Sequence, residues 1–362
     1  MRGESERPIG LGEERVPATE AADIETIVGD LRRQFAATLP QGAGAIARRD
    51  QHPKAHGCLR ATFMVADGLD ERLRHGIFAA PGTYDAWVRF SSSSPLMSSD
   101  KLRDAHGMAI KLLGVPGEKL LDTEREAETQ DFVLANNPAF FVRNARDYIS
   151  FIPAFTEGRI LSFFFGLNPL RCRLHEFFNM LHATKQAVSN PLQIRYWSQT
   201  PSRLGPGQAV KYSVIPRLTG PKDPMPPDEA QTPNFLREAM KRTLGADPSG
   251  PGVTFSFLVQ LQTDPVRMPV EDATVIWDER VAPFYLVAAL HIPPQDFDTP
   301  ARDTFAENLS FMPWHSLPAH QPLGATNRIR RRVYEEISRL RHEHNGVPRR
   351  EPTPSDPPAG SA

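Results

Sequence analysis

The sequence is poor in cysteine, and it has neither a long apolar run nor an excess of one charge. Its 362 residues include only two cysteines, Cys58 and Cys172, which lack the spacing of metal ligands or of a disulfide framework. The N-terminal stretch has no apolar segment of a secretory signal, and no run reaches the roughly 20 apolar residues of a transmembrane helix. These absences predict a cytoplasmic protein without a membrane span.

The charge balance excludes another class of partner. The chain has 42 basic and 43 acidic side chains, and its formal net charge is -1. Proteins dedicated to nucleic acids or to acidic membranes usually carry an excess of one sign, so we expect no nucleic-acid partner. Proline, in contrast, is abundant at 35 residues, which favours loops and short strands over long helices.

The order of the apolar patterns predicts an α+β fold. Helical spacing or an apolar run predicts helices over residues 23–39, 146–155 and 172–188. Alternating or short apolar runs predict seven strands, over residues 58–67, 83–94, 107–115, 131–136, 209–218, 253–263 and 283–293. Such a run of strands, with helices inserted or appended late, is typical of an antiparallel sheet or barrel.

We expect three parts along the chain. Residues 1–22 are polar and predict a flexible N-terminal arm, and residues 23–345 predict a single domain. Residues 346–362 are rich in proline and small polar side chains, which predicts a disordered tail.

One basic stretch near the C-terminus, residues 327–346, contains six arginines and a single tyrosine, Tyr334. On a helical projection, Arg330, Tyr334 and Arg341 lie along one margin of the apolar face. The projection places five other charged side chains on the solvent side: Arg331, Arg332, Glu335, Glu336 and Arg339. Two interpretations follow. Tyr334 is either a side chain at the edge of the core or a phenolate that binds a metal.

A phenolate ligand must lose its proton, and a nearby cation favours that loss. At about 4 Å and an effective dielectric constant near 20, one positive charge stabilises an anion by roughly 4 kcal/mol. Arg330 precedes Tyr334 by one helical turn, so it is placed to act in this way. Tyrosinate is a recognised axial ligand of haem iron. This interpretation predicts a pocket with an acid–base group and with cations for the haem propionates.

Four further stretches, together with this helix, resemble the haem catalases in their order and local spacing. The stretch RRDQHPKAHG (48–57) resembles the distal segment of that family, and WVRFSSSS (87–94) resembles its Arg-Phe-Ser motif. RDAHGMAIK (103–111) resembles the strand that leaves the pocket, and DFVLANNPAFFVRN (131–144) resembles the asparagine stretch. The resemblance covers roughly residues 45–155 and 270–342, and little of residues 156–250.

The resemblance implies a fold, a cofactor and a set of site residues. It implies an antiparallel β-barrel with surrounding helices, and haem b between the barrel and the helix that carries the iron ligand, Tyr334. For catalysis it implies His52 as the distal base, Ser91 as its supporting hydroxyl, and Asn136 as a donor to the peroxide. The implied haem contacts are Arg49, Arg89, Phe141, Arg330 and Arg341.

The sequence also departs from the family pattern. One extra residue follows Lys54, so His56 is an alternative to His52 as the distal base. Ala135 and Ser338 stand where catalases often have asparagine and histidine. The chain ends soon after the proposed iron-ligand helix, without the family's wrapping segment and C-terminal helical domain, which predicts a more open access route.

These features favour a haem-dependent peroxidase that reduces hydrogen peroxide or organic hydroperoxides with a small-molecule electron donor, with weak catalase activity. A hydroperoxide isomerase of the allene oxide synthase type is the alternative on the same scaffold. A non-catalytic haem-binding protein is a second alternative. The apolar run ILSFFFGL (160–167) predicts a homodimer contact.

Overall fold

The centre of the molecule is a closed antiparallel β-barrel, seen in a computed structural model that describes residues 8–42, 45–165, 172–245 and 248–354. Its strands are β1 (Ala55–Val65), β2 (Gly82–Ser92), β3 (His106–Leu113), β4 (Thr129–Ala135), β5 (Tyr196–Trp197), β6 (Ser202–Arg203), β7 (Ala209–Pro216), β8 (Val253–Leu261) and β9 (Phe284–Ile292). Neighbours pair in the order β5-β4-β3-β2-β1-β9-β8-β7, with β6 beside β7, and pairing of β5 with β7 closes the ring.

The interior of the barrel is filled by side chains. Along β1, Leu59, Ala61 and Phe63 alternate with outward-facing residues and are buried in one large cluster. The ring of Phe257 packs edge-to-face against Phe63 and Phe132, with centroids 5.1 Å and 4.8 Å apart. A ligand of appreciable size must therefore bind outside the barrel.

Seven helices lie around the barrel in the described residues: α1 (Glu20–Thr38), α2 (Ala145–Thr156), α3 (Ile160–Phe164), α4 (Leu174–Lys185), α5 (Phe235–Gly245), α6 (Pro300–Asn308) and α7 (Ala325–Asn345). The apolar faces of α1, α2 and α7 pack together, with Ile27 and Ile329 buried between them. Helix α7 ends at Gly346, whose left-handed φ of 63° is the usual glycine termination. Within the described residues, none of these helices is long and apolar enough to span a bilayer.

The predicted fold class is confirmed, because the chain forms an antiparallel barrel with helices around it. The seven predicted strands are present, and so are the three helices predicted from apolar patterns and the basic helix α7. Helices α3, α5 and α6 and the two-residue strands β5 and β6 were not predicted. Strands β5 to β7 lie within residues 156–250, so the stretch with little family resemblance closes the barrel.

Parts of the predicted arm and tail pack against the domain. The backbone nitrogen of Gly12 donates to Gln262 Oε1 at 2.7 Å. At the other end, Glu351 forms an ion pair with the buried Lys111. The prediction of a flexible arm and a disordered tail was based on composition. Composition does not indicate these contacts, because each one depends on a single side chain. Residues 1–7 and 355–362 lie outside the described range.

The charged side of α7 differs from its projection. Arg332 is exposed as expected, but Arg331 and Glu336 are half-buried. The reason is tertiary packing: the guanidinium of Arg331 lies 5.0 Å from the ring centre of Trp314, and Arg32 of α1 pairs with Glu336 at 3.5 Å. A single-helix projection does not contain these neighbours.

Candidate functional site

A cavity between α7 and the outer side of β2, β3 and β4 brings together most of the predicted site residues. About 920 Å³ of space, which includes part of the open solvent, lies among its lining residues. Six of the nine predicted site residues line it: Arg49, His52, Arg89, Ser91, Tyr334 and Arg341.

Apolar side chains form much of the rest of the wall. They come from α7, from the segment that precedes it, and from the barrel strands: Val333, Ile337, Phe311, Met312, Ala109 and Val133. An apolar wall with a few polar groups is typical of sites that bind a largely apolar organic molecule.

His52 is held in one orientation by three neighbours. Its backbone adopts a left-handed φ of 59°, uncommon outside glycine, and the Arg89 guanidinium donates to its carbonyl at 2.7 Å. The imidazole Nδ1 lies 3.0 Å from Ser91 Oγ. Gly107 of β3 leaves room for the ring, because a Cβ there would lie 2.8 Å from His52 Cε1. Nε2 is therefore the nitrogen left for a ligand.

The surroundings of His52 keep its ring neutral. Burial, followed by the positive charges of Arg89 and Arg330, lowers the pKa of the His52 imidazole to about 3. A neutral imidazole has one nitrogen that accepts a proton. At pH 7 this side chain is therefore uncharged, and it offers one nitrogen as an acceptor.

The alternative distal residue, His56, lies elsewhere. It is fully buried on β1, with Nε2 3.0 Å from Ser92 Oγ, and it is not among the residues that line the cavity. Its ring centre lies 5.8 Å from that of His106, and burial lowers the pKa of both rings, that of His106 to about 4. His56 thus belongs to a buried polar cluster at the end of the barrel.

Three predicted arginines converge at one end of the cavity. Arg49 and Arg341 both pair with Glu307, at 3.4 Å and 3.3 Å. Burial, followed by the charge of Arg49, lowers the pKa of Arg89 and of Arg341 to about 9. Arg89 Nε is buried without a hydrogen-bond partner in the described residues, and Arg49 Nη1 has only its 3.4 Å ion pair with Glu307. Two guanidinium groups pair with this one carboxylate and the third lies within its electrostatic range, which suits a ligand with two negative charges.

Tyr334 lines the cavity from α7 and packs beside Met312. Arg330, one turn earlier, directs its guanidinium elsewhere. Its Nη1 donates to Thr200 Oγ1 at 3.1 Å and to Asn327 Oδ1 at 3.4 Å. A direct effect of Arg330 on the phenol stays a prediction.

Asn136 and Phe141 lie outside the cavity wall. Asn136 is buried immediately after β4, where its Oδ1 accepts from the backbone nitrogen of His106 at 2.9 Å and its Nδ2 lies 3.4 Å from Gln186 Oε1. Phe141 stacks on Phe140, with ring centres 4.7 Å apart, in an aromatic cluster. Their roles at a bound haem stay predictions.

Three contributors to the site were not predicted. Gly107 is in a motif that the family resemblance marked only for packing, although a glycine inside a strand often indicates a close approach. Arg349, which lines the cavity, lies in the predicted tail. Glu307 carries no local pattern that distinguishes it from a surface glutamate.

Comparison with known proteins identifies the fold. Catalase A from Saccharomyces cerevisiae superposes with a TM-score of 0.62 and 18% identity, over 93% of this chain and 68% of that one. A fungal catalase gives 0.61 and 17%, over 93% and 66%, and a bacterial catalase gives 0.59 and 17%, over 99% and 69%. No family model and no curated protein sequence matches. The chain therefore has the fold of the catalases.

Proposed function

We propose that this protein is a haem-dependent peroxidase, which reduces hydrogen peroxide or an organic hydroperoxide with a small-molecule electron donor. The observation that carries the proposal is the shared cavity, in which a phenol, a neutral imidazole and a cluster of cations face the same space. If Tyr334 were only a packing residue at the edge of the core, there would be no reason for an imidazole and a cluster of cations to face the same cavity.

The residues of the cavity fit haem b. The buried donor Arg89 Nε has no hydrogen-bond partner in the described residues, and Arg49 Nη1 has only a long ion pair with Glu307, so both donors suit the propionate carboxylates. Val333, Ile337 and their apolar neighbours suit the faces of a porphyrin. Tyr334 would bind the haem iron, because its phenol lines the same cavity and tyrosinate is a known haem ligand.

His52 and Ser91 perform the proton transfer in this proposal. Bound haem would supply the redox chemistry that cleaves the peroxide O–O bond, and an anionic ligand such as the Tyr334 phenolate would favour it. His52 accepts a proton from the peroxide at Nε2 and returns it to the departing oxygen. In this proposal the neutral ring carries its proton on Nδ1, which donates to Ser91 Oγ 3.0 Å away and keeps Nε2 free. Carboxylates bound at Arg89 and Arg49 would offset charges that lower the His52 pKa, and would make the ring more basic.

Asn136 is the proposed donor to the peroxide. Its Oδ1 is already engaged by the backbone nitrogen of His106, whereas its Nδ2 makes only a long contact of 3.4 Å with Gln186. The amide nitrogen is therefore the atom of this side chain that would donate to the peroxide. Phe141 is proposed as a contact of the haem face.

The opening of the cavity supports the peroxidase assignment over a dedicated catalase, because a small organic donor needs access from solvent. The predicted homodimer also stays a proposal. Its contact would use exposed apolar side chains on or beside α3 and α4: Leu161, Phe165, Leu174 and Phe178.

Stopped-flow mixing of the haem-loaded protein with peroxide tests the proposal. We expect His52→Gln to slow the reaction with peroxide by roughly 10²–10⁴-fold while haem absorption is retained, because a positioned acid–base group is removed. His56→Gln is the matched control and should react at nearly the wild-type rate. The reverse result for the two variants would show that the distal base is misassigned.

The products separate the related activities. We expect hydrogen peroxide or cumene hydroperoxide to be consumed together with an added donor. Oxygen release without donor oxidation would indicate a catalase. Conversion of a fatty-acid hydroperoxide with no donor present would indicate an isomerase, and haem-loaded protein that reacts with no peroxide would overturn the enzymatic assignment.

A further inference from the structure

The segment that follows α7 forms part of the cavity wall. The chain turns at Gly346, and residues 347–353, here called the C-terminal strap, line a solvent-open groove beside Glu124. Arg349 of the strap lines both this groove and the cavity. The Arg349 side chain therefore lies between the cavity and the solvent-open groove.

Arg349 brings a fourth guanidinium group to the cavity. Its Nη2 pairs with Glu124 at 2.9 Å and lies 3.4 Å from His315 Nε2. Its Nε is buried and has no hydrogen-bond partner in the described part of the chain. Burial is the main cause of the lowered pKa of Arg341, and Arg349 is among the cations that add to it, so the two arginines lie within electrostatic range. Arg349 thus offers an unused donor at the cationic end of the cavity.

The strap is anchored by Glu351. Its carboxylate pairs with the fully buried Lys111 of β3 and accepts from Thr129 Oγ1 at 2.8 Å. Burial raises the pKa of the Glu351 carboxyl, but the charges of Lys111 and His315 outweigh that effect and hold the pKa at about 2. Glu351 is therefore ionised at pH 7. Its removal would destabilise the fold, because the buried Lys111 ammonium would lose one of its carboxylate partners.

The anchor is continuous with the cavity wall. Asp131 of β4 pairs with Lys111 at 2.8 Å and accepts from the backbone nitrogen of Met312, a wall residue, at 2.9 Å. Glu124, His315 and Glu351 approach one another within 4.8 Å. A metal ion is not needed among them, because the Lys111 ammonium already supplies the positive charge. The network therefore fixes the strap to the same residues that shape the cavity.

We propose that the C-terminal strap holds Arg349 as a further cation for a propionate of the bound haem, with Glu351 as the anchor that keeps the strap in place. The inference rests on the proposed function, since it requires haem in the cavity. In this account Arg349 binds the cofactor, and Glu351 positions Arg349. Release of either one loosens the haem without altering Tyr334 or His52.

Transfer of haem from the loaded full-length protein to excess apomyoglobin, followed by absorption, measures this effect. We expect Arg349→Gln and Glu351→Gln to lose haem about 10–100-fold faster than the wild type, the effect of one charge-assisted hydrogen bond. Arg350→Gln is the matched control, because Arg350 is exposed and is not among the cavity-lining residues. It should lose haem at the wild-type rate.

Haem dimethyl ester separates a contact with the propionate from a structural role. The ester has no charged carboxylates, so Arg349→Gln and the wild type should lose it at the same rate. Faster loss of the ester from Arg349→Gln, or loss of haem from Arg349→Gln at the wild-type rate, would overturn the inference. Wild-type protein that binds no haem would instead overturn the proposed function, and the two failures are thereby distinguished.

Discussion

At the scale of single residues, the candidate site depends on side chains in unusual surroundings. His52 has a left-handed backbone, which costs a non-glycine residue about 1–3 kcal/mol. The hydrogen bond from Arg89 to its carbonyl helps to hold that conformation, and the same guanidinium keeps Nε available for an anion. Strain held in this way is common where a side chain must be presented to a ligand.

Gly107 gives a direct test of the His52 position. Gly107→Ala should displace the imidazole, because the added Cβ would lie 2.8 Å from its Cε1 and 3.1 Å from Ser91 Oγ. We expect the reaction with peroxide to slow by roughly 10²-fold, the effect of a misplaced catalytic group, with haem binding retained. Stopped-flow spectroscopy measures both. Gly82→Ala is the control, since no atom lies within 4 Å of a Cβ at that position. An unchanged rate in Gly107→Ala would mean that the reaction with peroxide does not depend on the position of the His52 imidazole.

The sequence predicted which residues line the cavity better than it predicted the hydrogen-bond partners of their side chains. His52 and Ser91 come from two different motifs, and they lie together as the family resemblance implied. Arg330 turns instead toward Thr200, and Asn136 contacts Gln186. Both partners come from residues 156–250, where no motif was available to predict them.

At the scale of elements, a buried ionic network joins β3 and β4 to the segments around α7. Burial lowers the pKa of the His315 imidazole, but the carboxylates of Glu351 and Asp131 outweigh burial and the charge of Lys111 and raise the pKa to about 9. The other charged groups that face this ring are Glu124 and Arg349. His315 is therefore a cation at neutral pH.

This network predicts a pH dependence of stability. The folded-state pKa of His315 lies above the ordinary value of 6.5, so its contribution to stability is fully present below pH 6.5 and is lost as the pH rises through about 9. We expect the free energy of unfolding in urea to fall between these pH values more steeply in the wild type than in His315→Gln. His344→Gln, at an exposed histidine, should keep the wild-type slope. Equal slopes in wild type and His315→Gln would contradict the network.

The elements that the sequence predicted are those with a long repeating pattern. Strands such as β1 and β8 alternate or run apolar over many residues, whereas β5 and β6 have two residues each and carry no periodicity. Helix α6 could have been predicted from its start. Thr299 caps it by accepting from the backbone nitrogen of Arg302, and Pro300 follows at the first position.

At the scale of the whole molecule, the barrel positions the site on its outer surface and does not enclose a ligand. Its interior is filled by apolar and aromatic side chains, so the cavity forms where α7 and the strap cross its outer side. The fold class was predictable because the order of apolar segments fixes the available architectures. Closure of the ring was not, because it depends on the pairing of β5 with β7.

The absorption spectrum of the haem-reconstituted protein, compared with that of Tyr334→Phe, tests the central claim most directly. Tyr84→Phe on β2, which does not line the cavity, is the matched control. We predict a Soret band and phenolate vibrations in the resonance Raman spectrum of the wild type and of Tyr84→Phe, and loss of the phenolate vibrations in Tyr334→Phe. Wild-type protein with no Soret band, or a Tyr334→Phe variant with the wild-type spectrum, would contradict the account.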